Sequence, residues 1–542
     1  MAGSSFDTRR DFFRLAGAGM TGAVLGGAIG AQPVAAQAGM HGAGGHSFGV
    51  FSVRDFGATG DGHTIDTPAI NRAIEVAAAA GGGTVVFPAG TYACYSIRLK
   101  SNIELHLQRG ATILAAEGAH YDAAEPNEPW HMYQDYGHDH WHNSLIWGVG
   151  LHDVSITGPG LIHGKGLARD TGGPEPHANE PGVGDKSISL KSCHNVLLRD
   201  FAILQGGWFG ILATGVDNLT IDNLIIDTNR DGMDIDCCRN VRLSNTTVNS
   251  PWDDGICLKS SYSLGYPRPT ENVTITNCYV SGCWRMGSVI DGTWKKYTPA
   301  DHIPHVGRIK FGTESNGAFL NVAISNCVFE GCYGLALETE DGAHLEDVAI
   351  TNITMRDIVT SPLFMRLGAR LRGPKATTHP GRIRRVKISN LVCWNTSAKY
   401  CSLLTGIPGH NIEDVSLQDI LIVAEGGGTA AEAAIHVPEG PATYPEPTMF
   451  GTLPAYGFFV RHLDGLSMSN VQVRTGKADA RPAIILDRVK GAKFFSIEAR
   501  NAGNSPVFSL RRTENFAIRY SEPVEDVRLP SANGVELPKA ES

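Results

Sequence analysis

The sequence predicts an all-β fold, a right-handed single-stranded parallel β-helix with a short N-terminal capping helix, and three observations carry the prediction. A ten-residue pattern recurs nine times, the shortest intervals between copies are 23 and 22 residues, and a run of short alternating strands precedes the first copy. The copies are NVLLRDFAIL at Asn195, NLTIDNLIID at Asn218, NVRLSNTTVN at Asn240, NVTITNCYVS at Asn272, NVAISNCVFE at Asn321, DVAITNITMR at Asp347, RVKISNLVCW at Arg385, DVSLQDILIV at Asp414 and GLSMSNVQVR at Gly465. Apolar residues at the second, fourth and ninth positions give one strand face. The sixth residue is Asn or Asp in every copy and falls at a turn, where an Asx side chain tolerates left-handed backbone and can bond to its equivalents above and below. No copy can bury its own apolar face, so the copies must stack. Longer intervals of 32, 49, 38 and 51 residues imply inserted loops or further coils. A β-propeller is the rival architecture, but its blades need about 40 residues and another motif.

Taken in order, residues 1–38 read as an export signal: Thr8, Arg9, Arg10, Asp11, Phe12 and Phe13 resemble a twin-arginine motif, an apolar stretch follows from Leu15 to Ala31, and Ala36 and Ala38 offer a cleavage site. A periplasmic or secreted product is expected. Residues 50–505 read as the solenoid and 506–542 as its C-terminal edge and tail. In the first part Asp66 or Thr67 caps a helix with Ile70, Ile74 and Val76 on its apolar side, ended by Gly81 to Gly83. The strands TVVFPAG, YSIRLK, IELHLQ and ATILAA follow. Insertions are expected at 117–143, 164–186, 284–313, 361–384 and 425–460, and on a solenoid the loops are where a site is built. Residues 130–142, WHMYQDYGHDHWH, are fit for packing against sugar rings, and His138, His140 and His142 would share a face if extended.

Charge and composition narrow the function. A formal net charge of −9 gives no concentrated positive surface for nucleic acid, and beyond the leader no apolar run is long enough for a spanning helix. A monomer without cofactor or resident metal is expected. The eleven cysteines show no CxxC pair or zinc spacing and read as small buried residues in preference to disulfides.

The chemistry is expected in NRDGMDIDCCRNVRLSNTTVNSPWDDGICLKS, residues 229–260. Asp253 and Asp254 stand 22 and 23 positions after Asp231, one coil in this chain, so the three acids stack as neighbours about 4.8 Å apart. Like charges at that range raise at least one pKa, which sets a protonated acid beside ionised carboxylates and equips the site to cleave a glycosidic bond. Calcium ligation and turn capping are the competing readings, and Asp234 and Asp236 are expected to cap turns or support the acids.

NRDG at 229–232 and DDGICLKS at 253–260 resemble the two aspartate motifs of glycoside hydrolase family 28, the polygalacturonase and rhamnogalacturonan hydrolase family, whose patterns are NTDG and DDC.A.KS. DFGATGDGHTIDTPAI at 55–70 is similar to the opening shared by pectin-degrading β-helix proteins, and the likeness runs from about Phe51 to Arg500. It implies Asp253 as general acid, Asp231 and Asp254 holding the attacking water, inversion at the anomeric carbon, and acid and base roughly 6.5–9.5 Å apart. The chain departs from the pattern where the family keeps a histidine and an RIK run: Arg308 stands near the first, Ala336 and Glu338 replace the arginine and lysine of the second, and the literal RIK at 308–310 comes one coil early. Arg308 and Lys310 then either restore a basic subsite or the sugar beside the acids is neutral. Lys259, Glu314, Glu338 and Trp294 are further substrate-binding candidates, with Lys259 alternatively paired to an aspartate and Glu314 stacked one coil from Glu338.

The expected function is inverting hydrolysis of a pectic poly- or oligosaccharide. A calcium-dependent lyase with an arginine or lysine base and a non-catalytic carbohydrate-binding β-helix are the alternatives.

Overall fold

The computed structural model describes residues 49–169, 179–501, 503 and 505–537. The twin-arginine segment and part of the 164–186 insertion lie outside the described residues. The rest winds as a parallel β-helix in which each strand pairs with its equivalent one coil on. One sheet runs through β1 (Lys186–Lys191), β2 (Phe209–Thr214), β3 (Asp231–Asp236), β4 (Ile256–Ser260), β5 (Ile309–Ser315), β6 (Leu335–Thr339) and β7 (Leu363–Leu367). A second carries the first half of each ten-residue copy, as in His194–Arg199, Asp217–Asp222 and Arg239–Ser244. The third carries the second half, as in Ala202–Leu204, Ile225–Asp227 and Thr247–Asn249. Inward residues stack in register, Ile235 on Leu258, Phe311 and Leu337, and all four are buried. Each such side chain stabilises the coil by about 1.5–3 kcal/mol relative to exposure.

The Asx residues explain why the strands bend where they do. All nine sixth-position residues, Asp200 through Asn470, hold φ between 52° and 72°. Their amides link coil to coil: Asn223 donates to Asp200 at 2.9 Å, Asn352 to Asn326 at 3.0 Å and Asn470 to Asp419 at 2.7 Å. The first position of the copies forms a second ladder, also left-handed, in which Asn218 donates to Asn195 at 2.8 Å and Asn321 to Asn272 at 2.8 Å. A side chain that can bond locally offsets the roughly 1–2 kcal/mol that a left-handed residue costs.

The capping helix α1 spans Thr67–Ala79 and buries Ala69, Ile70, Ala73, Ile74 and Ala77 over the end of the solenoid. Val76, expected on the apolar side, is 43 % exposed, because alanines at four-residue spacing supply that face. Asp66 begins the helix without capping it through its side chain; its carboxylate accepts from the Thr59 and Gly60 amides instead and pins the preceding turn. All eleven cysteines are buried and unpaired.

The parallel stack continues past the expected boundary at 505, since Phe508–Arg511 and Thr513–Arg519 still pair in parallel with Ile484–Arg500. Two antiparallel strands then close it: Val527–Ala532 lies along Thr513–Arg519, and Val535–Leu537 along Phe508–Arg511. Among the described residues no helix is long and apolar enough to cross a membrane.

Candidate active site

The three aspartates meet where the first sheet presents the leading ends of β3 and β4. Asp231 opens β3, and the Gly232 amide donates to the Asp254 carbonyl at 2.9 Å, which places the two acids in register on adjacent coils. Gly232 follows Asp231 because a Cβ there would run into the Gly255 carbonyl. One carboxylate oxygen from each of Asp231, Asp253 and Asp254 lies within 4.8 Å of the others. These nearest oxygens lie closer than the roughly 6.5–9.5 Å expected between the whole carboxyl groups of an inverting acid and base.

The three acids are not equivalent. Asp231 is buried, and burial together with the charge of Asp253 pushes its pKa well above the usual carboxylate range. Asp253 is the exposed member, with 30 % of its side chain accessible, and accepts from Arg230 at 3.0 Å. Arg230 stands where the resembling motif has threonine; its guanidinium lies 4.5 Å from the centre of the Trp208 ring. Asp254 is buried, which disfavours its charge, but Lys310 and Arg308 overcome that penalty and hold its pKa down to about 2. Arg308 Nε donates to Oδ1 at 2.8 Å and Lys310 Nζ sits 3.1 Å from Oδ2. A carboxyl pushed toward its acid form and one held toward its ionised form thus occupy adjacent coils.

Beyond Asp254 the wall is basic and covered. Arg308 and Lys310 are on average as buried as core residues, at 1 % and 2 % exposure. On the next coil both face Glu338, 3.9 Å from Arg308 and 3.8 Å from Lys310, with neither of its oxygens accepting a hydrogen bond among the described residues. Arg308 also makes a two-pronged contact with Glu446, at 3.1 and 2.6 Å. Lys310 lies 5.6 Å from the centre of the Tyr444 ring, and Arg308 5.3 Å from that of Tyr333.

Tyr444 and Glu446 belong to the 425–460 insertion, which is a built strap and not an irregular loop. Arg461 donates to the Val437 and Pro438 carbonyls at 2.8 and 2.7 Å, and Arg366 to those of Glu439 and Gly440, both at 2.9 Å. Val437, Phe450, Leu453 and Ala455 pack on the outward apolar stripe Ala336, Phe364, Leu403, Phe459 and Ile485. Ala336, where a basic residue was sought, is part of that seat.

Other expected residues are placed differently. Lys259 is buried and ion-paired with Glu314 at 2.6 Å, with Asp234 at 3.6 Å, so its structural role prevails over a free subsite. Glu314 is not the residue paired with Glu338: Lys310 pairs with Ala336 and Phe311 with Leu337, which puts Gly312 opposite Glu338. Arg372 and Lys259 hold the Glu314 carboxylate instead; although burial opposes ionisation, Lys259 leads a set of positive groups that keeps its pKa well below the usual range. Trp294 packs edge-on against Trp284 and Tyr279, because the 284–313 insertion folds back on itself through an antiparallel bridge between Trp284 and Lys296. Asp234 lies within a strand and faces Lys259 and His138, capping no turn; Asp236 accepts from the Ser261 amide at 2.8 Å.

The 130–142 loop folds into two short 3₁₀ turns, so its histidines point apart. His138 approaches Asp234 at 3.5 Å, His140 is buried against Asp139 at 2.7 Å, and His142 lies tilted over Trp147 with ring centres 4.0 Å apart. His131, Asp139 and His140 gather instead, with His140 Nδ1 also 3.0 Å from the Tyr136 carbonyl. Sequence reasoning missed Arg230, which the departure from NTDG could have flagged, and Arg372, Tyr444 and Glu446, for which the chain carries no local signal.

The buried Glu338 yields a test of the wall's electrostatics. Burial raises its pKa to about 8, against the opposing charges of Lys310 and Arg308 and with Glu446 and Asp254 reinforcing it. The folded protein therefore holds a proton that the unfolded chain releases near the ordinary glutamate value, and stability falls as pH rises from there to about 8. Glu338→Gln keeps the neutral shape. Its melting temperature is expected to match wild type at acidic pH and to exceed it by roughly 2–5 °C above pH 8, read by thermal denaturation at both.

Residues 50–112 match the family described as rhamnogalacturonase A/epimerase, pectate lyase-like, and residues 186–361 match the right-handed β-helix region. A probable polygalacturonase of Vitis vinifera is 24 % identical over 430 residues, covering 75 % of this chain and 81 % of the relative. The plasmin and fibronectin-binding protein A of Streptococcus pneumoniae is 29 % identical over 274 residues, 45 % of this chain and 33 % of that protein. Among solved structures, the hyperthermoactive exopolygalacturonase from Thermotoga maritima superposes with a TM-score of 0.57 at 18 % identity, covering 78 % of this chain and 91 % of that one.

Proposed function

From its standing as a polygalacturonase-like right-handed β-helix, a distant relative of the polygalacturonases, we propose that this chain is a glycoside hydrolase acting on pectic oligosaccharide, with rhamnogalacturonan or decorated fragments ahead of plain polygalacturonate. The observation that carries this reading is the division of labour among three carboxylates within 4.8 Å: Asp231 pushed toward its acid form, Asp254 locked as a carboxylate. Asp253, facing solvent, gives a proton to the departing glycosidic oxygen, and water adds to the anomeric carbon. Asp231, its proton affinity raised by burial and by the charge of Asp253, takes the proton that the water loses, and exchange with solvent returns both groups to their starting states.

Asp254 orients that water and faces the positive charge developing on the sugar. Both of its oxygens are engaged by Arg308 and Lys310, which leaves it a poor nucleophile and favours inversion over a covalent intermediate. The strap beyond Arg308 and the Arg372–Asp135 ion pair between two other insertions favour a pocket and end-wise attack. Against the lyase alternative, Arg308 and Lys310 are buried, yet Glu446 and Asp254 respectively lead the negative groups that raise both pKa values well above normal, which favours their charged forms over a base.

Purified protein incubated with a panel of pectic oligosaccharides tests the reading. New reducing ends of inverted configuration by proton NMR, without near-ultraviolet absorbance and unchanged by chelator, are expected. Unsaturated, absorbing products would overturn hydrolysis in favour of elimination.

A further inference from the structure

We propose that Glu446 is a specificity-determining residue: its carboxylate occupies the Arg308 fork where an acidic sugar would dock, so the subsite beside Asp254 accepts a sugar whose C6 carries no charge. The inference deepens the hydrolase reading above and rests on it for its kinetic arm.

A guanidinium presents paired N–H groups that fit one carboxylate at a time, and Arg308 spends its terminal pair on Glu446 at 3.1 and 2.6 Å while Nε serves Asp254. A uronate entering beside the acids would meet this fork already filled. The Lys310 ammonium is likewise engaged, by Asp254 and over the Tyr444 ring.

Glu446 is held in place rather than lying there by chance. Its amide bonds to the Tyr444 carbonyl at 3.1 Å, and its carbonyl accepts from the Met449 amide at 2.9 Å at the start of a 3₁₀ turn over Pro447–Phe450. That turn is seated by Phe450 in the apolar stripe, and the strap behind it is clamped by Arg366 and Arg461. The side chain is 23 % exposed against 1 % for Arg308, so it forms the solvent-facing surface of the pair, where a ligand arrives.

Charge bookkeeping agrees. Two cations, Arg308 and Lys310, face two carboxylates, Asp254 and Glu446, with Glu338 neutral below about pH 8. A uronate would add a third negative charge in a buried wall, which like-charge repulsion disfavours. A hydroxymethyl or methyl group at C6 adds none.

The probes are trigalacturonate and its carboxyl-reduced counterpart, an α-linked trigalactoside differing only in carboxylate against hydroxymethyl. Wild type is expected to show the higher kcat/KM on the reduced probe. Glu446→Ala is expected to raise the ratio of uronate to neutral kcat/KM by roughly tenfold or more, in a salt-sensitive manner. Glu446→Gln, which keeps the shape and one acceptor on Arg308 but removes the charge, should raise it less, and it serves if the alanine variant folds poorly.

A second arm needs no turnover: calorimetric binding of D-galacturonate and D-galactose to Asp253→Asn, with and without Glu446→Ala. Galacturonate affinity is expected only when Glu446 is absent. If that gain appears but wild type cleaves neither trisaccharide nor any member of the pectic panel, the hydrolase reading falls and this inference stands. If cleavage is seen and neither the ratio nor the galacturonate affinity responds to Glu446, or if wild type favours the uronate, this inference is overturned.

Discussion

Asp253→Asn is expected to lower kcat on any cleaved oligosaccharide by roughly 10²–10⁴-fold, the range a positioned general acid supplies. The amide is close in shape and still accepts from Arg230, which now holds the carboxylate at 3.0 Å, so folding and ligand binding should persist. What is lost is the proton donor to the leaving oxygen. The measurement is kcat and KM beside a binding constant for the same oligosaccharide. Loss of kcat with binding retained fits the assignment; undiminished turnover would move the acid elsewhere and leave Asp253 as a partner of Arg230.

Arg308→Met is expected to cost about 3–5 kcal/mol of stability, the usual penalty for breaking a buried ion pair from one side. Arg308 is 1 % exposed and serves three carboxyl groups, Asp254, Glu338 and Glu446. Its removal leaves Asp254 with Lys310 alone inside the wall and frees the strap from its anchor at Glu446. Thermal and urea denaturation should both register the loss, and Arg308→Lys should recover only part, since an ammonium cannot engage Asp254 and both oxygens of Glu446 in one plane. A near-neutral effect would mean that Glu446 and Asp254 find water instead, and that the wall is wetter than its burial implies.

The solenoid was legible because its physics is periodic. Each copy repeats the same demand, apolar residues inward and an Asx residue at the bend, and Asn223, Asn352 and Asn470 meet it alike. The adjacency of Asp231 to Asp253 and Asp254 followed from the same arithmetic, as two positions one coil apart must be neighbours. Departures from strict period were not legible. Phe311 pairs with Leu337, which puts Gly312 and not Glu314 opposite Glu338, and nothing in KFGTES marks it. Glu446 reaches Arg308 from 138 residues away, a pairing set by how the strap is clamped and not by local pattern. The histidines of 130–142 were misplaced because alternation was assumed where two 3₁₀ turns interrupt it.

The antiparallel closure of the last coil bears on how long such an object can grow. A parallel coil left bare presents a row of unpaired backbone groups that would template the first coil of another copy, and stacking could then proceed without limit. Here the newcomer would meet Val527–Ala532 and Val535–Leu537, short, reversed in direction and broken by Pro530, which has no amide to offer. These two strands therefore act as a terminator, keeping at that end a stack whose internal geometry would otherwise favour a fibre.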